Sequence, residues 1–170
     1  MRVRELLHKI VKNGMHKCRK AALFDVVETV VHSKSLSLTS VGRKLQNGNQ
    51  TRSNIRKVDR LYGNVHLQRE SLEIYGCIIK HLVKTHQPIV LIDDTKLPRS
   101  NYSSLRLSLA SSGRSLTLYE IVYNKKKSKG YVRRVYKELL DNFESMLPAN
   151  CKPIFVSDAA FSEPFSSNFI

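Results

Sequence analysis

The sequence predicts a two-part chain of the α+β or α/β class, with a helical region over residues 1–86 and a smaller mixed α/β region over residues 87–170. Apolar residues recur at helical spacing as far as about Lys84, and the period changes to that of strands after Gln87. The charge also divides, because residues 1–87 carry 17 basic and 6 acidic side chains and residues 88–170 carry 12 and 8. The two regions therefore differ in both structure and charge.

Two helices are predicted first. The segment "KAALFDVVETVVHS" (Lys20–Ser33) has an apolar face, which consists of Leu23, Val26, Val27, Val30 and Val31. The segment "LSLTSVGRKL" follows, with Thr39 or Ser40 as its N-cap and with Val41 and Leu45 one turn apart.

A polar connection then leads into a short helix that begins near Ser53, within "NGNQTRSNIRKVDRLYGN". The apolar positions Ile55, Val58 and Leu61 lie three apart, so the basic side chains face outward. The exposed basic set predicted for this helix and the one before it is Arg43, Lys44, Arg52, Arg56, Lys57 and Arg60.

This pair of helices resembles a helix-turn-helix that contacts DNA, although small helical bundles with a solvated basic face have the same pattern. A last helix, from about Gln68 to Lys84, is expected to bury Leu72, Ile74, Ile78, Ile79 and Leu82.

The second region has the order strand, hairpin, helix, strand. The run "PIVLID" is continuously apolar, which is typical of a strand covered on both faces. In "SSLRLSLASSGRSLTLYEIVYN" alternating leucines predict two strands with a turn at Ser111–Gly113. "KKKSKG" is a basic connection to the helix "YVRRVYKELLDNFESML", and "KPIFVSDAAF" contains the last strand. A strand that returns after a helical crossover can lie parallel to the first.

The first and last strands share a design, since "PIVLID" and "PIFVSD" each run from a proline to an aspartate, Asp93 and Asp158. On parallel neighbours both carboxylates emerge at one sheet edge, where ligand and metal sites form in open α/β sheets. Paired carboxylates favour a divalent cation, and oxygen ligands suit Mg²⁺ or Mn²⁺. Turn or capping roles for the two aspartates are the simpler interpretation.

Composition narrows the partners and the location. The net charge of +15 favours a polyanion such as nucleic acid, with an anionic membrane surface as the rival. No apolar run reaches the length of a membrane span, and the amino terminus lacks the features of a signal peptide, so we expect a cytosolic protein without a membrane partner. The three separated cysteines and six scattered histidines predict neither a zinc site nor a disulfide framework.

With these residues in place, the chain resembles the DDE transposases of bacterial insertion sequences, in particular the insertion sequence four family that includes the transposase of transposon ten. The resemblance runs from about residue 20 and is carried by "SLSLTSVGRKL", "NIRKVDRLYGNVHL", "PIVLIDDT", "SGRSLTLYEIVY" and "LPANCKPIFVSDAAF".

The resemblance implies a helical DNA-binding domain at 1–86 followed by the first part of a ribonuclease-H-like catalytic domain at 87–170. Asp93 and Asp158 would be its first two catalytic, metal-binding carboxylates. It implies binding of double-stranded DNA at transposon ends and at the target, with Mg²⁺-dependent strand cleavage and transfer. It also implies a bacterial, nucleoid-associated location, and self-association stays open.

The family's third carboxylate is a Glu on a later helix, within Y-x-x-R-x-x-x-E. Glu163 is too close to Asp158 to replace it, and Tyr131, Arg134 and Glu138 match the spacing by coincidence on the crossover helix. We therefore expect an amino-terminal fragment of a transposase in which catalysis is weak or absent.

Asp94 is expected to be structural, since neighbouring strand residues face opposite ways. Two other functions stay open: a non-catalytic DNA-binding protein that competes with full-length transposase, and a phosphoryl-accepting or Mg²⁺-binding domain in which Asp93 and Asp94 form an acidic pocket.

Overall fold

A computed structural model describes residues 3–11 and 14–158 of the chain, and within these residues the protein is a mixed α/β structure. The chain divides into two compact units, the first spanning Met1–Cys77 and the second beginning at Ile78. The division falls inside a helix, nine residues (86 − 77) before the boundary at residue 86 that the sequence predicts. None of the helices over the described ranges is long and apolar enough to cross a membrane.

The first unit is helical. Its elements are α1 (Val3–Ile10), α2 (Lys17–Ser33), α3 (Leu38–Lys44), α4 (Thr51–Tyr62), α5 (Val65–Arg69) and the beginning of α6 (Ser71–Leu82). A core built from α2, α3 and α4 consists of Val26, Val41, Leu45, Val58 and Leu61, each less than a tenth exposed. The predicted inward positions Val41, Leu45, Val58 and Leu61 are therefore confirmed, whereas the predicted inward residue Ile55 is only partly buried. Helix α1 was not predicted.

Three details of this unit differ from the prediction. The N-cap of α3 is Ser37, whose Oγ accepts a hydrogen bond from the Ser40 backbone N–H at 3.2 Å, so neither Thr39 nor Ser40 is the cap. Val31 and Leu72 are 51% and 40% exposed, because helical periodicity marks a face wider than the part that neighbouring helices cover. The helix predicted from Gln68 is two helices, α5 and α6.

The contact between α3 and α4 depends on Gly42. A Cβ added to Gly42 would lie 2.6 Å from Ile55 Cγ1, 2.7 Å from Ile55 Cα and 2.9 Å from Ile55 N. Two of these atoms belong to the backbone of α4, which cannot move without moving that helix. The absence of a side chain at residue 42 therefore allows the two helices to approach as closely as they do.

The second unit contains a four-stranded mixed sheet and one long helix. Its elements are β1 (Ile89–Lys96), β2 (Tyr102–Ser111), β3 (Arg114–Asn124), α7 (Lys129–Met146) and β4 (Ile154–Ser157). The strand order is β3-β2-β1-β4, with β1, β2 and β3 antiparallel in sequence and β4 parallel to β1. The hairpin turn lies where it was predicted, with Gly113 at a φ of +72°.

One face of this sheet packs against α7. Tyr123 and Tyr136 meet edge to face with ring centroids 6.3 Å apart, and Phe143 and Phe155 do the same at 6.1 Å. Val90 on β1 is fully buried on this face.

The opposite face is partly exposed, with Ile89, Ile154 and Val156 each 46–49% accessible. The prediction that the first strand is covered on both faces is therefore wrong over the described residues, since one helix packs against the sheet from one side.

The first strand also extends beyond the aspartate at which it was predicted to stop. β1 continues to Lys96, pairing Asp93 with Arg106, Asp94 with Leu105 and Lys96 with Ser103. The β-hairpin supplies backbone partners for these residues, which a reading of "PIVLID" by itself does not reveal. β4, in contrast, ends at Ser157, directly before Asp158.

Candidate functional site

The basic face of the first unit lies on α3 and α4. Arg43 and Lys44 at the end of α3 are exposed, and so are Arg52, Arg56 and Arg60 on α4. The connection between the helices contains Gly48 at a φ of +73°, and the buried Asn54 holds this connection by donating from Nδ2 to the Leu45 carbonyl at 3.3 Å. These contacts give the connection and the two helices a defined local geometry.

Lys57 differs from the other predicted DNA-contacting residues. Its Nζ lies 2.7 Å from Asp25 Oδ2, and its side chain is only 31% exposed. Asp25 also accepts a hydrogen bond from the Arg4 guanidinium at 3.1 Å. Lys57 thus neutralises a carboxylate within its own unit, and the freely exposed predicted residues are Arg43, Lys44, Arg52, Arg56 and Arg60.

The two predicted catalytic aspartates occupy adjoining register positions at one end of the sheet. The last β1–β4 pair joins Ile92 to Ser157, and the next residue on each strand is Asp93 and Asp158. Neighbouring strands lie about 4.8 Å apart, so these two residues are positioned side by side where the pairing of β1 with β4 ends. Both are exposed. The hydroxyl of Thr95 donates a hydrogen bond to Asp93 Oδ2.

Asp94 has a different environment from Asp93. Its side chain is 8% exposed, and its Oδ2 accepts hydrogen bonds from Tyr123 at 2.8 Å, from Lys125 at 2.7 Å and from Tyr136 at 3.3 Å. These partners come from β3, from the connection after β3, and from α7. Asp94 therefore links three segments of the second unit, in agreement with a structural role.

The acidic-pocket alternative does not fit this arrangement. Asp93 and Asp94 are neighbours on one strand and their side chains face opposite sides of the sheet. Asp93 is exposed, whereas Asp94 faces the α7 side and pairs with Lys125. The two carboxylates consequently do not line a common pocket.

Sequence reasoning missed the two tyrosines that contact Asp94. Burial and the negative charge of Asp94, with a weaker contribution from Asp158, together raise the pKa of Tyr136 to about 12, against a lowering by the hydrogen bond with Tyr123. Burial and the bond to Asp94 also raise the pKa of Tyr123. One signal in the sequence could have found them. Tyr123 on β3 and Tyr136 on α7 lie on the same faces as the buried apolar residues of those elements.

Asp158 contributes weakly to the raised pKa of Tyr136, whose hydroxyl also donates a hydrogen bond to Asp94. Asp93, Asp94 and Asp158 thus belong to one edge of the sheet, although they have different exposures and partners. Over residues 3–11 and 14–158, no three His, Cys, Asp or Glu side chains form a group that could hold a metal ion. Glu163 falls outside the residues that the structure describes.

The coincidental Y-x-x-R-x-x-x-E match lies on the crossover helix, as the sequence predicts. Tyr131, Arg134 and Glu138 are all on α7, the helix that connects β3 to β4. Arg134 and Glu138 are exposed. Lys127 Nζ lies over the ring of Tyr131, 4.6 Å from its centroid, in a cation–π contact.

Comparisons with known proteins supply no relative for this chain: no family model, no curated protein and no solved structure matches it.

Proposed function

We propose that this chain binds double-stranded DNA as the amino-terminal part of a DDE-type transposase of the insertion sequence four family. In this proposal α3 and α4 hold the DNA of a transposon end, and the edge of the sheet carries the first two carboxylates of a strand-cleavage site. The observation that carries it is the β1–β4 register, which positions Asp93 beside Asp158 where the pairing of these two parallel strands ends.

The architecture of the second unit supports the proposal. An antiparallel β1-β2-β3 arrangement, followed by a helix and a strand parallel to β1, agrees with the start of a ribonuclease-H-like sheet. The proximity of the two carboxylates depends on this strand order and on the parallel direction of β1 and β4.

A divalent cation fits the donors that are present. Asp93 and Asp158 offer exposed carboxylate oxygens, which are the hard ligands that Mg²⁺ and Mn²⁺ prefer. Bound there, the cation would supply Lewis-acid activation of a phosphodiester and of water. Two protein carboxylates are enough for a weak Mg²⁺ site, because this ion commonly takes its other ligands from water and from substrate phosphates.

The protein side of the reaction is binding and orientation. The exposed arginines of α4 neutralise phosphates and hold the duplex, as basic side chains do in non-specific and specific complexes. Asp94, buried and paired with Lys125, stabilises the strand on which Asp93 lies. Thr95 orients the Asp93 carboxylate through its hydroxyl hydrogen bond.

DNA binding through α3 and α4 is tested with a charge-matched pair of variants. The slope of log K against log salt is negative. We expect R52Q/R56Q/R60Q to reduce its magnitude by about 2.7, because each lost phosphate contact removes about 0.9. The control K9Q/K17Q/R69Q removes three exposed charges from α1, α2 and α5 of the same unit. Fluorescence anisotropy with a labelled duplex measures both, and equal slopes for the two variants would remove α4 from the interface.

The metal site is tested separately by Mn²⁺ binding, followed by electron paramagnetic resonance. We expect D93N and D158N each to weaken Mn²⁺ binding at least tenfold, whereas K152Q, a surface change before β4, leaves it unchanged. Binding that survives both aspartate substitutions would exclude this carboxylate pair as the site.

A second function, DNA occupancy without cleavage, is favoured by the placement of the basic face. The five exposed basic residues of α3 and α4 lie in the first unit, whose core contains no residue of the sheet. DNA binding by this unit therefore needs neither aspartate. A nicking assay on transposon-end DNA with Mn²⁺ separates the functions: cleavage abolished by D93N supports the enzyme, and binding without cleavage supports the competitor.

A further inference from the structure

A second basic surface lies on the sheet unit, away from the α3–α4 pair in sequence. We define the lysine rim as Lys96, at the end of β1, together with Lys125, Lys126, Lys127 and Lys129, between β3 and α7. All five side chains are exposed. The segment 124–134 contains six basic residues and no acidic residue.

The backbone of the rim has a defined conformation. Asn124 Oδ1 accepts a hydrogen bond from the Lys126 N–H at 3.0 Å, and the Lys125 N–H donates to the Asn101 carbonyl at 3.0 Å. Ser128 caps α7 by accepting from the Tyr131 N–H at 3.4 Å. The lysine side chains therefore extend from an ordered turn.

Most of the positive charge of the rim is not neutralised by the protein. Lys125 pairs with Asp94, and Lys127 lies over the ring of Tyr131. Within the described part of the chain, Lys96, Lys126 and Lys129 form no ion pair. The first turn of α7 also lacks an acidic residue. Cations at a helix amino terminus are electrostatically unfavourable, so the stability of α7 does not explain Lys129.

The rim shares an edge of the sheet with the carboxylates. Lys96 pairs with Ser103, and Ser103 pairs with Tyr123, so the end of β1 lies in one row with the end of β3. Lys96 is three residues beyond Asp93 on β1, which corresponds to about 10 Å along the strand at about 3.3 Å per residue, and the odd separation places its side chain on the face of Asp94, opposite that of Asp93. Stacked nucleotides rise about 3.4 Å each, so this distance spans about three nucleotides.

We propose that the lysine rim binds the sugar–phosphate backbone of double-stranded DNA next to the Asp93–Asp158 edge. It is a second DNA-binding surface, separate from α3 and α4, and it holds the segment of duplex within a few nucleotides of the strand to be cut. This assignment rests on the proposed function, because it takes double-stranded DNA to be the partner of this chain.

The test compares two triple variants of the full chain. K126Q/K127Q/K129Q removes three rim charges and retains Lys125, which Asp94 requires. The matched control K84Q/R114Q/K152Q removes three exposed charges from the same unit. Lys84 precedes β1, Arg114 begins β3 and Lys152 precedes β4. All three therefore lie at the end of the sheet where these strands begin, opposite the end that carries the rim.

Anisotropy titrations with a fluorescein-labelled duplex of about 30 base pairs, about three helical turns, are measured over a series of salt concentrations. The rim variant should reduce the magnitude of the slope of log K against log salt by about 2.7, and the control should reduce it by less than about 1. Equal slopes for wild type and rim variant, or equal reductions for rim and control, would overturn the proposal. The single variants K126Q and K129Q, whose side chains make no ion pair in the described structure, should each lower the slope by about 0.9.

The outcomes separate this proposal from the function on which it rests. Failure of the wild-type chain to bind DNA would refute both. Binding that depends on Arg52, Arg56 and Arg60 but not on the rim would leave the proposed function intact and remove the rim. Rim-dependent binding to phosphatidylserine vesicles, without any rim effect on DNA, would assign the surface to membranes and overturn the proposal.

Discussion

Replacing Gly42 by alanine should destabilise the first unit and weaken DNA binding together. The new Cβ would lie 2.7 Å from Ile55 Cα and 2.9 Å from Ile55 N. Ordinary contact for a Cβ begins at 3.4 Å, so restoring it requires α3 and α4 to separate by about 0.7 Å (3.4 − 2.7). Because the obstructing atoms are backbone, a rotamer change of Ile55 cannot relieve the clash.

The expected magnitude combines two opposing terms. Separation of the helices loosens Val41 and Val58, both fully buried, and a radial gap of 0.5–1 Å loses roughly a quarter to a half of a dispersion contact. Overpacking typically costs about 1–3 kcal/mol. Alanine in a helix favours folding by about 0.8–1.0 kcal/mol relative to glycine. The middle of the first range less this gain gives an expected net loss of about 1 kcal/mol.

The assay is urea denaturation followed by circular dichroism, with Gly63→Ala as the control. Gly63 ends α4 at a φ of −88°, and a Cβ there would meet only Asp59 O, at 3.7 Å. A net loss of about 1 kcal/mol lowers the urea midpoint by about 0.5 M at a slope near 2 kcal/mol/M. A Gly42→Ala chain as stable as the wild type would refute the close-contact explanation.

Three further predictions concern the carboxylates, the tyrosines and the cap of α3. Asp94→Ala leaves its hydroxyl and ammonium donors without an acceptor and should cost about 2–4 kcal/mol in urea denaturation, whereas exposed Asp93→Ala should change stability by less than about 0.5 kcal/mol; similar losses would contradict the difference in burial. Because the pKa of Tyr136 is raised from 10.0 to about 12, its contribution to stability is complete below pH 10 and is lost as the pH rises from 10 towards 12. Unfolding free energies measured at pH 9 and 11 should therefore fall more steeply for wild type than for Tyr136→Phe. Ser37→Ala should cost about 1 kcal/mol and Ser40→Ala much less; the reverse order would return the cap to Ser40.

Local patterns determined most of the secondary structure in advance. Alternating leucines located β2 and β3, and the 3.6-residue period located α2 and α7, because each pattern reflects burial of one face of one element. The parallel return of the last strand followed from the helical crossover before it. The adjoining positions of Asp93 and Asp158 were predicted by the same reasoning.

The errors occurred where a residue's role depends on a distant part of the chain. Lys57 has the spacing of an outward-facing basic residue, yet it pairs with Asp25, 32 residues earlier. Val31 has the spacing of an inward residue, but its exposed fraction is 51%. Periodicity gives the direction in which a side chain points and says nothing about what lies in that direction.

The two aspartates of "PIVLIDDTK" show the same division. The sequence by itself determined that a strand carries both and that they face opposite sides, since side chains alternate along a strand. Only the tertiary structure decided that Asp94 is buried with Tyr123, Lys125 and Tyr136 while Asp93 stays exposed. The physical reason is that burial and charge pairing come from β3 and α7, whose packing against β1 is set by contacts about 30 to 40 residues away along the chain.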